Sequence, residues 1–329
     1  IRGAVLGLAT GDAMSSPSAT HRVALLAPKR AARMRSLAEY ADQQKQTTRP
    51  FPYTHAQPNW MLLPGPSDDL EWFTFSAENF LSKRDPLMAW KELAARRDEI
   101  YARNGTKISL KNLADGLLPP QSGHDNPHYF DDIVLSRSLA AALLYFKDEN
   151  VLTAHVLADS QVTHSEDGVY CALAFAHFAA ALIREVPMNQ AIDIATSQLP
   201  KDSWSRRIIE LALDQTQEVN NLFTRVVTLE HTTIENIYAF PVSAPETLAL
   251  LLAHARHAKS AHELALSALS HKRKLDSLPA LAGAIAGIVF GDEWIPEQFK
   301  NGLSLPGVCI PDFKGKLIEP LIASLIVGI

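Results

Sequence analysis

Carboxylates stand in adjacent pairs at two places in this sequence, and both pairs sit where a chain turns into a helix. In GPSDDLEWFTFSAENFL (65–81), Ser67, Asp68 and Asp69 bring three oxygen donors into one turn. Oxygen donors of this kind suit a hard cation such as Mg²⁺. The same residues also suit a helix start: Asp68 as N-cap with Glu71 three residues later makes a capping box, and that reading needs only one aspartate. In GHDNPHYFDDIVLSR (123–137), Asp131 and Asp132 follow His124, Asp125 and His128 around a proline. Arg137 falls about a turn and a half into the next helix, so this block either presents polar groups of both signs to one cleft or fills ordinary turn and cap positions.

Three further blocks carry polar residues at helix boundaries. RGAVLGLATGDAMSSP (2–17) reads as a small-residue helix over 4–9 that runs into a turn at Gly11-Asp12, where glycine permits a sharp turn or close packing. LADSQVTHSEDGVYCALAFA (157–176) places Thr163, His164 and Asp167 in a polar break before an apolar helix. In SHKRKLDSLPALAGAIAG (270–287) a basic run ending at Lys274 leads into Asp276 and Ser277, which stand at a helix start. No P-loop, G-x-G-x-x-G, H-E-x-x-H or G-x-S-x-G pattern points to another enzyme class.

These residues must be positioned by helices. Apolar residues recur at helical spacing, as in Leu70, Phe73, Ala77, Phe80 and again in Trp204, Ile208, Leu211, Ala212, while strand-like alternation is hard to find. Alanine-rich blocks favour helix and allow close helix packing. The reading is all-α, a compact helical bundle in one domain spanning 1–329, with polar, proline-containing loops at 40–66 and 117–130.

Composition narrows the partners. With 47% hydrophobic and 20% charged residues and a net charge of −5, the chain reads as an ordinary globular protein with no expected affinity for nucleic acid. Cys171 and Cys309 show no paired spacing, so a reducing cytoplasm is the expected compartment. The apolar stretch 278–290 falls short of the roughly 20 residues that span a membrane, and no membrane association is expected.

Taken in order, the blocks resemble the ADP-ribosylglycohydrolase family. RGAVLGLATGDAMSSP is similar to its opening helix and G-D-A turn, SDDLEWFTFSAENFL to its T-D-D-T-E block, DSQVTHSEDGVYCALAFA to its T-H segment, and LDSLPALAGAIAG to its closing D-x-D-T/S helix. NPHYFDDIVLSRSLAAALLY looks like its central stretch, with Arg137 in the place of the helix arginine. The resemblance implies an all-α glycohydrolase that cleaves the N- or O-glycosidic bond of an ADP-ribosyl or ribosyl group, on an ADP-ribosylated protein or a small ribosylated molecule. It also implies one or two Mg²⁺ ions, with Ser67, Asp68, Asp69, Asp276 and Ser277 as ligands. Asp68, Asp69 and Asp276 would be central to catalysis, and Asp12, Asp131, Asp132, Arg137, His164 and Lys274 would face the substrate.

Two positions depart from the family pattern. Lys274 stands where the closing motif has its first aspartate, and a cation there disfavours a second Mg²⁺. Ala19 stands where many members carry a glutamate after the G-D-A turn. These departures motivate the alternative of a catalytically degenerate member that binds ADP-ribose, a nucleoside or a partner protein.

Overall fold

Small residues decide the closest approach in the structure, which is a computed structural model describing residues 1–24, 68–235, 241–271 and 273–328. Helix α1 (Arg2–Ala24) lies along a late helix, Leu278–Phe290, with no side chain between them at Gly7 and Gly283. A Cβ placed on Gly7 would come within 2.0 Å of the Gly283 carbonyl oxygen. The turn expected at Gly11-Asp12 is absent because α1 continues through it. Gly11 instead faces the backbone of Pro279, so close packing is the use made of this glycine.

After α1 come α2 (Asp68–Leu81), α3 (Pro86–Ala95), α4 (Asn104–Ala114), the single turn α5 (Gln121–His124) and α6 (Ile133–Tyr145). They continue through α7 (Glu149–Ser160), α8 (Glu166–Ile183), α9 (Met188–Ser197), α10 (Trp204–Thr216) and α11 (Leu222–Thr232). The last are α12 (Ala244–His257), α13 (Ala261–Leu269), α14 (Leu278–Phe290) and α15 (Glu319–Val327). Among the described residues the only β pairing is two isolated bridges, so the fold is an all-α helical bundle.

Local chemistry starts several helices. Asp85, Asp148, Ser203, Asn221 and Ser260 each accept a hydrogen bond from a first-turn N–H of α3, α7, α10, α11 and α13. Such a cap contributes about 1 kcal/mol. Helix α2 is buried on nearly every side and packs against α6, which in turn packs on α8. Trp72 of α2 stacks on Trp90 of α3 at 5.5 Å between centroids, with Phe75 edge-on to both.

Helix α8 is long and apolar enough to cross a membrane, unlike the shorter stretch singled out from sequence, but 72% of it is buried in the bundle. On α10 the buried face is Ser205, Ile209, Ala212, Leu213 and Thr216, not the stripe through Trp204, Ile208 and Leu211. Polar side chains explain the rotation: Ser205 is buried because its hydroxyl donates to Asp167 at 2.6 Å, and an apolar count overlooks it.

Candidate functional site

Both aspartate pairs converge on one point, and a guanidinium fills it. Asp68 and Asp69 open α2, Asp131 and Asp132 end the turn before α6, and Ser277 stands just ahead of α14. Arg103, just ahead of α4, reaches among them. Its Nε and one terminal nitrogen donate to the two oxygens of Asp68, the second contact at 3.2 Å. The other terminal nitrogen donates to Asp131 at 3.2 Å and to Asp132. The nitrogen shared with Asp68 also donates to Ser277 Oγ at 3.0 Å and lies 3.5 Å from Asp69. Ser277 passes its own proton on to Asp132 at 3.2 Å, and Thr247 of α12 donates to the second Asp132 oxygen at 2.6 Å. Ser136 of α6 donates to Asp69.

Arg103 is delivered to this point by a buried tether. Glu71, one helical turn into α2, accepts from the backbone N–H groups of Val308, Cys309 and Ile310 at 2.9, 2.8 and 3.0 Å. The Cys309 carbonyl then accepts from the N–H of Tyr101 at 3.0 Å, two residues before Arg103. Glu71 therefore fixes a distant loop rather than closing a capping box on its own helix.

The electrostatics follow from crowding carboxylates in a dry place. Burial pushes the Asp69 carboxyl well above the usual range, and the Asp68 charge adds to the effect. Burial raises Asp131 to about 7 against the pull of Arg103, with Asp132 adding to the rise. Burial disfavours the Arg103 cation, but Asp68, Asp131, Asp132 and Asp69 overcome it and hold the guanidinium charged.

The remaining residues singled out from sequence are placed as follows. Asp12 accepts from the N–H of Leu70 at 3.4 Å and so touches the first turn of α2. Arg137 is fully buried; it pairs with Asp159 at 3.0 Å and lies over the Trp90 ring at 4.7 Å. It also donates to the Thr163 hydroxyl at 2.8 Å, which is 2.7 Å from His164 Nδ1. His164 Nε2 in turn lies 2.9 Å from the Asp131 carbonyl, so this row supports the aspartate turn from behind. Burial, with the nearby Arg137 charge, keeps the His164 pKa well below the ordinary value.

Lys274 is buried and points to Glu246 of α12 at 2.6 Å. Asp276 is exposed, and it is the neighbouring Ser277 that touches Arg103. Ser67 lies outside the described residues, as does the side chain of Ala19. His124 is exposed and lies against Ser165 at 3.1 Å.

Sequence reasoning missed Arg103, Ser136, Thr247 and Glu246. A lone arginine in YARNGT carries no motif, although its place at a helix start, where a cation is unfavourable, is a local oddity that an acidic neighbourhood resolves.

A second polar row lies behind Lys274. Arg225 Nε donates to His254 Nδ1 at 3.2 Å, His254 Nε2 meets His271 Nε2 at 2.7 Å, and His271 Nδ1 meets Glu230 at 3.0 Å. An arginine nitrogen can only donate, so His254 carries its proton on Nε2 and gives it to His271, which carries its own on Nδ1.

A divalent cation does not fit the carboxylates as they are arranged. Among the described residues no group of three or more His, Cys, Asp and Glu side chains is set to hold a metal ion. Asp69 Oδ2 lacks a hydrogen-bond partner, but one free oxygen beside a guanidinium is not a coordination set.

The ADP-ribosylglycohydrolase family model matches residues 1–326, so the chain belongs to that family. Among solved structures it is similar to one described as an "ADP-ribosylglycohydrolase-related protein complex". The TM-score is 0.62 at 19% identity, covering 99% of this chain and 95% of that one. At that identity the likeness speaks for the fold. No curated protein matches the sequence.

Proposed function

We propose that the chain hydrolyses the glycosidic bond of a ribosyl or ADP-ribosyl group at the carboxylate centre, without a bound metal. The observation that supports this reading most is the convergence of Asp68, Asp69, Asp131 and Asp132 from two chain segments, in a member of a family named for that hydrolysis. Cleavage of a ribosyl bond builds positive charge at the anomeric carbon, and ionised carboxylates stabilise it. Asp68, which keeps some solvent exposure while Asp132 is engaged by Arg103, Ser277 and Thr247, is the carboxylate suited to meeting the ribose. Asp131, raised to about 7, is suited to taking a proton from water or giving one to the leaving group near neutrality.

The test is release of ADP-ribose or of a free base, followed by chromatography. Substrates are arginine- and serine-linked ADP-ribosyl proteins and simple ribonucleosides, each with the intact chain in excess EDTA. Turnover that survives EDTA and is lost in Asp131→Asn is expected. Absence of turnover on all of them rejects the proposal.

A second reading, binding without hydrolysis, is favoured by the commitment of Asp68, Asp131 and Asp132 to Arg103. Saturable ADP-ribose binding in calorimetry, with no turnover, would select it.

A further inference from the structure

We infer that Arg103 is the resident cation of the carboxylate centre, its guanidinium taking the part that a divalent metal plays among converging carboxylates. The inference rests on the carboxylate geometry and not on hydrolytic activity.

All three nitrogens of the guanidinium are engaged, with both Asp68 oxygens, Asp131, Asp132 and Ser277. A planar fork of five N–H donors is suited to bridging several carboxylates at once. In doing so Arg103 ties together the start of α2, the turn before α6 and the start of α14, the three segments that an ion at this point would have to join. Donors from the surrounding helices take up further acceptor positions, although none reaches Asp69 Oδ2. Thr247 donates to the second oxygen of Asp132, the Ile133 N–H donates to Asp131 at 3.0 Å, and Ser136 donates to Asp69.

Lys274 does not supply the counter-charge to the aspartates, because its ammonium is held by Glu246. Arg103 is also delivered by design of the backbone, through Glu71, Cys309 and Tyr101, rather than by a free swing of a surface side chain. An entering divalent ion would have to displace the guanidinium from five hydrogen bonds or sit a few ångströms from a like charge.

The test is thermal unfolding of the full chain with EDTA, with millimolar MgCl₂ and with millimolar MnCl₂, alongside the Mn²⁺ resonance signal of free ion. The wild type is expected to unfold at the same temperature in all three and to leave the Mn²⁺ signal undiminished. Arg103→Ala is expected to unfold earlier in EDTA, to recover several degrees with either metal, and to take up Mn²⁺ saturably, since binding to the native state raises stability. If Arg103→Ala does not fold in EDTA, recovery of its helical circular dichroism on adding Mg²⁺ supports the inference, and no recovery overturns it. Saturable Mn²⁺ uptake by the wild type overturns it, as does a folded Arg103→Ala that ignores both metals. None of these readouts depends on turnover, so a chain without hydrolytic activity can still pass.

Discussion

Replacing Glu71 tests how the centre is held in place. Its two oxygens accept three backbone N–H groups, one from Val308 and a pair from Cys309 and Ile310, in a position with no solvent exposure. Glu71→Gln keeps the shape but offers one acceptor oxygen, so its amide nitrogen must face an N–H. The cheaper orientation faces Val308. Losing that part-buried charge-assisted bond and setting an amide NH₂ against its N–H costs about 1–3 kcal/mol, and turning the other two from charge-assisted to neutral costs about 1 kcal/mol each. The expected loss is about 3–5 kcal/mol, whereas Glu71→Ala, which strands all three N–H groups, should exceed about 5 kcal/mol.

Urea unfolding measures the total, and hydrogen exchange reads the tether itself. Exchange should speed up at residues 308–310 and at Tyr101 in Glu71→Gln, while the amides of α14 keep their protection. Because Tyr101 carries Arg103 toward the aspartates, loosening there should propagate to the guanidinium. A Glu71→Gln protein within about 1 kcal/mol of wild type, or one with unchanged exchange at those four amides, would refute the reasoning.

Other perturbations address separate parts of the molecule. Asp131 has its folded pKa raised from 3.8 to about 7, so the folded state holds a proton that the unfolded chain releases. Its stabilising contribution is complete below about pH 4 and is lost as pH rises through 7, by an amount on the order of a few kcal/mol. Asp131→Asn should flatten that slope in urea midpoints taken at acid and alkaline pH, and parallel slopes in the two proteins would count against it. His254 runs the other way, its pKa held well below 6.5 by burial, then by His271 and Arg225. Its contribution is present above 6.5 and lost on acidification, so His254→Asn, which keeps an acceptor for Arg225, should lose less stability than wild type between neutral and acid pH. Gly7→Ala drives a methyl into the Gly283 carbonyl and should cost about 3 kcal/mol by forcing α1 and α14 apart. A thermal midpoint equal to that of wild type would contradict the close approach.

The helical class was legible because Leu70, Phe73, Ala77 and Phe80 repeat at the spacing of one buried face, and all four are buried. The two aspartate pairs singled out in the sequence are brought together in the structure. What the sequence did not disclose was their counter-charge. Arg103 lies 28 residues or more from any of the four aspartates in the chain, and its partners are set by how α2, α4, α6 and α14 pack. Lys274 was visible, but its direction was not, since it depends on Glu246, a residue on α12 with no motif of its own. Asp276 and Ser277 show the same limit in miniature: which of two neighbours turns inward is decided by the start of α14.

The row from Arg225 through His254 and His271 to Glu230 begins and ends on α11, five residues apart, after passing through α12 and the residues beyond α13. It is therefore a buckle. Because Arg225 can only donate and does not give up its proton, every link is forced to run in the same sense, and nothing at the head of the row can refill a proton passed on at its end. A row of touching imidazoles looks like a wire for protons, yet this one behaves as a latch whose two ends are sewn to the same cloth.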